Sequence, residues 1–106
     1  MSQRMSMWEG YEPLVRGGVK LQTIRVDDPF VPGPVVIFFE MSSGEVVEIP
    51  AVVTAVVSMR RDELTEEIAR KDGFASLAEV QAALSRHYPG LSEQARVEVV
   101  SYRLAS

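Results

Sequence analysis

Apolar and polar residues alternate along this 106-residue chain with two different periods. Trp8, Tyr11, Leu14 and Val15 recur three to four residues apart, which puts them on one face of a helix. Pro13 fits such a helix only near its first turn, where its missing amide hydrogen costs nothing. Gly17-Gly18 ends it, because glycine accepts the left-handed backbone of a helix C-terminus. Alternation from Val19 to Val26 then predicts a strand, followed by turns at Asp28-Pro29 and Pro32-Gly33-Pro34. Val35–Glu40 is an unbroken β-branched and aromatic run, which predicts a strand buried on both faces. Ser42-Ser43-Gly44 supplies a hairpin turn, and a long strand returns over Glu45–Met59. Pro50 interrupts it without an amide hydrogen to donate, so a bulge or an edge position is expected there.

After Met59 the helical period comes back. Leu64, Ile68 and Ala69 predict a helix from about Asp62 to Lys71, closed by Gly73. Ser76 with Glu79 three residues on matches a capping box, in which the hydroxyl and the carboxylate satisfy each other's free amides. The helix it opens carries Leu77, Val80, Leu84 and Tyr88 on one stripe and stops at Pro89-Gly90. Arg96–Leu104 is a closing Val-rich strand. Met1–Met7 shows no apolar run and is expected to fray. Helix, three strands, two helices and a strand predict an α+β fold, or a small barrel with helices inserted, as one domain over residues 8–105.

Composition narrows the chemistry. The chain has no Cys and one His, so disulfides, thiolate nucleophiles, sulfur-ligated zinc and paired-His metal sites are all excluded. No cofactor or metal is expected, and hydrolytic chemistry must come from Lys, Thr, Tyr, Asp, Glu or backbone groups. The longest apolar stretches, Val35–Phe39 and Ala51–Val57, fall far short of the roughly 20 residues of a membrane-spanning helix. Met1–Met7 lacks the apolar core of a secretory signal, so a cytoplasmic location is expected. The net charge is −4. Residues 27–58 hold five acidic side chains and no basic one, whereas residues 1–26 hold four basic and two acidic. Such a surface does not track the phosphates of a long duplex. It leaves room for a small cationic cleft if Lys20, Arg25, Arg60 and Arg61 converge.

Gly17–Arg25 is the segment richest in candidate chemistry. A turn delivers Lys20, and a strand presents Thr23 and Arg25 on one face. In a regular strand Lys20 points away from Thr23, so the two share a site only if Lys20 belongs to the turn. The plain alternative is an exposed lysine beside a strand threonine. Asp72-Gly73-Phe74 reads as turn chemistry with Phe74 plugging the core and Asp72 near the surface; beside Lys20, the carboxylate would hold the lysine or shuttle protons. His87 flanks the stripe of its helix, as a half-buried residue or a dipole partner. Trp8 and Tyr11 are core aromatics or stacking faces for a base.

In their order, Gly18-x-Lys20-x-x-Thr23-Ile24-Arg25, then Asp72-Gly73-Phe74 before a capped helix, then Tyr88-Pro89-Gly90 and the strand Val97–Leu104, the chain resembles the ASCH domain, a PUA-like family of RNA metabolism. The resemblance covers about Trp8 to Leu104. It implies a small, mostly antiparallel β-barrel with a helix at its N-terminus and two before the last strand. It also implies a cleft for a nucleobase, a modified nucleoside or short single-stranded RNA. Within the family the chain is similar to the small bacterial N4-acetylcytidine amidohydrolases, through Lys20, Thr23 and Arg25 and through the stretch from Leu64-Thr65-Glu66 onward. That similarity implies Lys20 as proton acceptor, Thr23 as nucleophile and Asp72 as proton donor. Arg25, Trp8, Tyr11 and Arg60 complete the expected binding set. Asp72 stands where those enzymes carry Glu, and Leu21 follows Lys20 where they carry Thr. Other members of the wider family bind RNA without catalysis or cleave it, so those readings stand beside the hydrolase.

Overall fold

Side chains of a strand point to opposite faces in turn, so a sheet that curls must decide which set it encloses. The computed structural model of the chain, which describes residues 3–105, encloses the odd-numbered residues of its first strands. β1 (Gln3–Met7) leads through a 3-10 turn at Glu9–Tyr11 into α1 (Glu12–Arg16). There follow β2 (Gln22–Arg25), β3 (Gly33–Glu40), β4 (Val46–Arg60), α2 (Glu66–Lys71), α3 (Leu77–His87) and β5 (Arg96–Leu104). The sheet order is β1-β3-β4-β5-β2, parallel only between β1 and β3. The result is α+β, a mostly antiparallel half-barrel with β1 and β2 as its two edges.

The expected frayed N-terminus is corrected here, since Gln3–Met7 pairs with Val35–Phe39. Met5 and Met7 alternate with Arg4 and Ser6 and enter the core, so burial of two methionines offsets the entropy of ordering this end. Met1 and Ser2 lie outside the described residues. β3 is likewise buried on one face rather than two. Val35, Ile37 and Phe39 are enclosed while Val36 and Phe38 are half-buried, because no helix covers the outer face there. Pro50 carries no bulge. It sits just beyond the end of β5, where its carbonyl accepts the last hydrogen bond, from Ala105 N (3.0 Å), and no further strand asks for a donor. The bulge falls at Thr54 instead, the extra residue between Val53 and Ala55, and it bends the fifteen-residue β4 around the core.

Two apolar clusters occupy the two faces. Met5, Val15, Val35, Ile37, Phe39, Val53 and Val100 fill the inside of the curl. Ile24, Leu64, Ala69, Val80, Leu84, Val97 and Val99 join the opposite face of β5 and β2 to α2 and α3. Both helices start as their sequences require: Thr65 Oγ1 accepts from Ile68 N (3.2 Å) and Ser76 Oγ from Glu79 N (3.3 Å). Glu79 reaches Ala75 N rather than Ser76 N, so only half of the capping box is made. Among the described residues no helix is long and apolar enough to cross a membrane.

Candidate functional site

β1 and β2 leave an open seam in the half-barrel, and Arg25 bridges it by donating from Nη1 to Ser6 O (2.8 Å). Beneath this seam, roofed on one side by α3, lies a cleft of about 440 Å³. That volume falls within the roughly 300–1,000 Å³ of small-molecule sites. Lys20, Thr23, Arg25 and Asp72 all line it, together with Trp8, Tyr11, Phe74 and His87.

Lys20 reaches the cleft because β2 begins only at Gln22, which leaves the lysine in the turn. The turn is pinned on every side. Lys20 N donates to Leu14 O (3.0 Å), Leu21 N to Lys71 O (2.6 Å), and Tyr102 Oη to Lys20 O (2.6 Å). Asp72 caps the C-terminus of α2, and Gly73 follows it at φ +88°. A Cβ on Gly73 would stand 3.3 Å from Lys20 Cβ, so glycine serves both the backbone conformation and the close approach of the two segments.

The consequence is a buried ion pair. Lys20 is 2% exposed and Asp72 5%. Lys20 Nζ contacts Asp72 Oδ1 directly and donates a second bond to Asp72 O (3.1 Å). It also lies 4.6 Å from the ring centroid of Tyr11 and 5.7 Å from that of Phe74. Burial pulls Lys20 below its ordinary pKa, and the Asp72 charge only partly restores it. Burial pushes the Asp72 carboxyl up to about 6 against the opposing pull of Lys20. Thr23 is buried at the wall, yet among the described residues its hydroxyl makes no hydrogen bond and is not sealed from the cleft. Tyr11 Oη meets His87 Nε2 at 3.2 Å, and partial burial followed by Arg86 holds the imidazole below its usual pKa.

Several expectations change. Asp72 is not a surface residue, because the turn after α2 folds inward onto Lys20. Phe74 packs against the apolar cluster under α2 and α3, as expected, and is at the same time a wall of the cleft. Arg25 faces the cleft but is held by Asp28 through Nε (2.9 Å) and Nη2 (2.5 Å), and it stacks on Phe30 at 5.7 Å. Arg60 is absent from the cleft. It lies exposed at the far end of β4 against Asp62 and Glu63. Arg61 is buried, but it donates to Gln81, Ser85 and Leu91 O and so ties the end of β4 to α3. The four basic residues therefore do not converge. Glu9, Glu40, Gly10 and Tyr102 were not singled out from the sequence. Only the Met5 and Met7 alternation carried a readable signal for the strand that brings Trp8 and Glu9 to the mouth. Among the described residues no three His, Asp or Glu are grouped to hold a metal ion.

No family model matches the sequence, and no curated protein does. Solved structures do. The ASCH domain from Lactobacillus crispatus JV V101 superposes with a TM-score of 0.72 at 16% identity, covering 96% of this chain and 79% of its own. Protein EF3133 from Enterococcus faecalis V583, of the DUF984 family, gives 0.70 at 15%, covering 99% and 77%. Hypothetical protein PH0355 gives 0.73 at 19%, covering 99% and 100%. The chain has the ASCH-domain fold.

Proposed function

We propose that the cleft binds a cytidine-type nucleoside or an unpaired RNA base and hydrolyses an N4-acyl amide held there. The observation that carries this reading is the buried Lys20–Asp72 contact in a cleft that Thr23, its hydroxyl unbonded, also lines. Burial moves the two pKa values toward each other, which makes the neutral amine–acid form of this ion pair easier to reach. That form is the one the chemistry needs. Lys20 takes the Thr23 proton, Thr23 Oγ1 attacks the amide carbon, and Asp72 protonates the departing N4 amine as the C–N bond breaks. The acyl group is left as an ester on Thr23 and the pair is left charged. Water then attacks the ester, giving its proton to Asp72, while Lys20 returns its proton to Thr23. The products are a carboxylic acid and cytidine, and the pair is restored.

Acetate and cytidine release from N4-acetylcytidine tests this directly. The parent protein is expected to turn the compound over, T23S to retain part of that rate, and T23A to bind without releasing acetate. Intact N4-acetylcytidine after long incubation with excess protein overturns the hydrolase.

One observation favours a second reading, a module that binds the base without acting on it. Lys20 already gives two hydrogen bonds to Asp72 and none to Thr23. Binding without product is the signature of that reading. Cleavage of RNA draws no support from a cleft whose two cations are each held by a carboxylate.

A further inference from the structure

Trp8 is 60% exposed, an unusual state for the largest apolar side chain of a small domain. It is nevertheless firmly placed. It follows β1 directly, lines the mouth of the cleft and sits edge-on to Tyr11, with centroids 5.3 Å apart and planes at 87°. Gly10 explains how the ring can lie there. A Cβ at Gly10 would stand 2.2 to 2.6 Å from three atoms of the six-membered ring, closer than any real contact. Gly10 has no positive φ, so no turn conformation asks for glycine. The space for the indole does. Tyr11 is itself committed elsewhere, with its ring over Lys20 Nζ and its hydroxyl on His87.

We infer that Trp8, seated against Gly10 and Tyr11, is a preformed stacking platform that holds the flat heteroaromatic ring of the ligand over the Lys20–Asp72 pair. A fixed aromatic plane recognises a base by area and polarisation and needs no charge. It also spends no ordering entropy on binding, since Gly10 and Tyr11 have already chosen its orientation. The inference rests on the proposed nucleoside-binding role and assigns Trp8 and Gly10 the specificity for a planar ring.

Trp8 is the sole tryptophan, so its emission reports on this one position. Cytidine and N4-acetylcytidine are titrated while emission is followed, and binding is measured independently by equilibrium dialysis. Saturating quenching is expected, with the dissociation constant found by dialysis. W8A is expected to weaken binding about 5- to 100-fold, and W8F to recover part of it. G10A keeps the indole but displaces it, and is expected to weaken binding with Trp8 still present. Circular dichroism of each variant reports folding, which an exposed ring and a surface glycine should leave unchanged. Dialysis binding with unchanged Trp8 emission, or W8A binding as tightly as the parent, overturns the platform and leaves the proposed function standing. No binding of either nucleoside by dialysis overturns both.

Discussion

Lys20 and Asp72 are two charges taken out of water together, and the cost of doing so shapes what each residue can be changed to. Removing one partner strands the other, so K20M or D72N is expected to destabilise the fold by about 3–5 kcal/mol in urea unfolding. K20M/D72L, which removes both, is expected to stay within about 1 kcal/mol of the parent or exceed it, while acetate release is lost. The same pair sets a pH dependence. The Asp72 pKa in the folded chain, about 6, lies above its ordinary 3.8, so the native state holds this proton more tightly than the unfolded chain. Its contribution to stability is full below 3.8 and is lost as pH rises to about 6. Lys20 has the opposite sign: its pKa is lowered from 10.5, so its contribution rises as pH climbs through its folded value toward 10.5. Unfolding midpoints between pH 3.5 and 6.5 check the first limb, and D72N is expected to flatten it. Lys20, Thr23 and Asp72 were legible in the sequence as a motif and its partner. The burial of the pair was not, because it depends on a contact between residues 52 apart.

At the scale of elements, β1 shows how a weak pattern becomes a firm structure. Five residues with two buried methionines cannot form a strand alone, but β3 supplies a template and the core supplies the apolar surface. M5A is expected to cost about 2–5 kcal/mol in denaturant unfolding, since Met5 is fully enclosed. Deleting residues 1–7 is expected to remove that burial together with the Ser6 carbonyl that Arg25 holds, and so to open the seam. The strands β2, β3, β4 and β5 and the helices were readable from their periods and caps. Which face of β3 would be covered was not, because alternation gives two faces and the order of the sheet chooses between them. Pro50 and the bulge at Thr54 make the same point: the proline restricts a donor, whereas the neighbour it would have donated to is set by where β5 ends.

Across the whole molecule, the seam between β1 and β2 is both the opening of the half-barrel and the site. Its charges are nearly self-contained. Lys20 is matched by Asp72 and Arg25 by Asp28, while Glu9 and Glu40 stand at the wall. Among the described residues a ligand phosphate therefore finds no free cation in the cleft. Cytidine 5′-monophosphate is expected to bind no more tightly than cytidine, and raising salt from about 50 to about 200 mM is expected to change nucleoside affinity less than about twofold. Six to ten phosphate contacts would instead lose about 10³- to 10⁵-fold. Calorimetric titration at the two salt concentrations checks both. The acidic balance of the chain is thus expressed at the cleft itself, and not only on the surrounding surface.

The sequence by itself determined the α+β class, the strands and helices whose periods are long enough to read, and the residue types available for chemistry. With no Cys and one His, a Lys–Thr–carboxylate set was among the few hydrolytic options left. These follow from local propensity, spacing and composition, which act along the chain. Only the tertiary structure decided that Asp72 turns inward onto Lys20, that Arg25 is spent on Asp28 and Ser6, that Arg60 stands apart, and that Trp8 rests on Gly10 at the mouth. Each of those outcomes depends on which strands become the edges of the curl. That choice is made by burying Met5, Ile37, Phe39 and Val100 together, a property of the assembled core and not of any one segment.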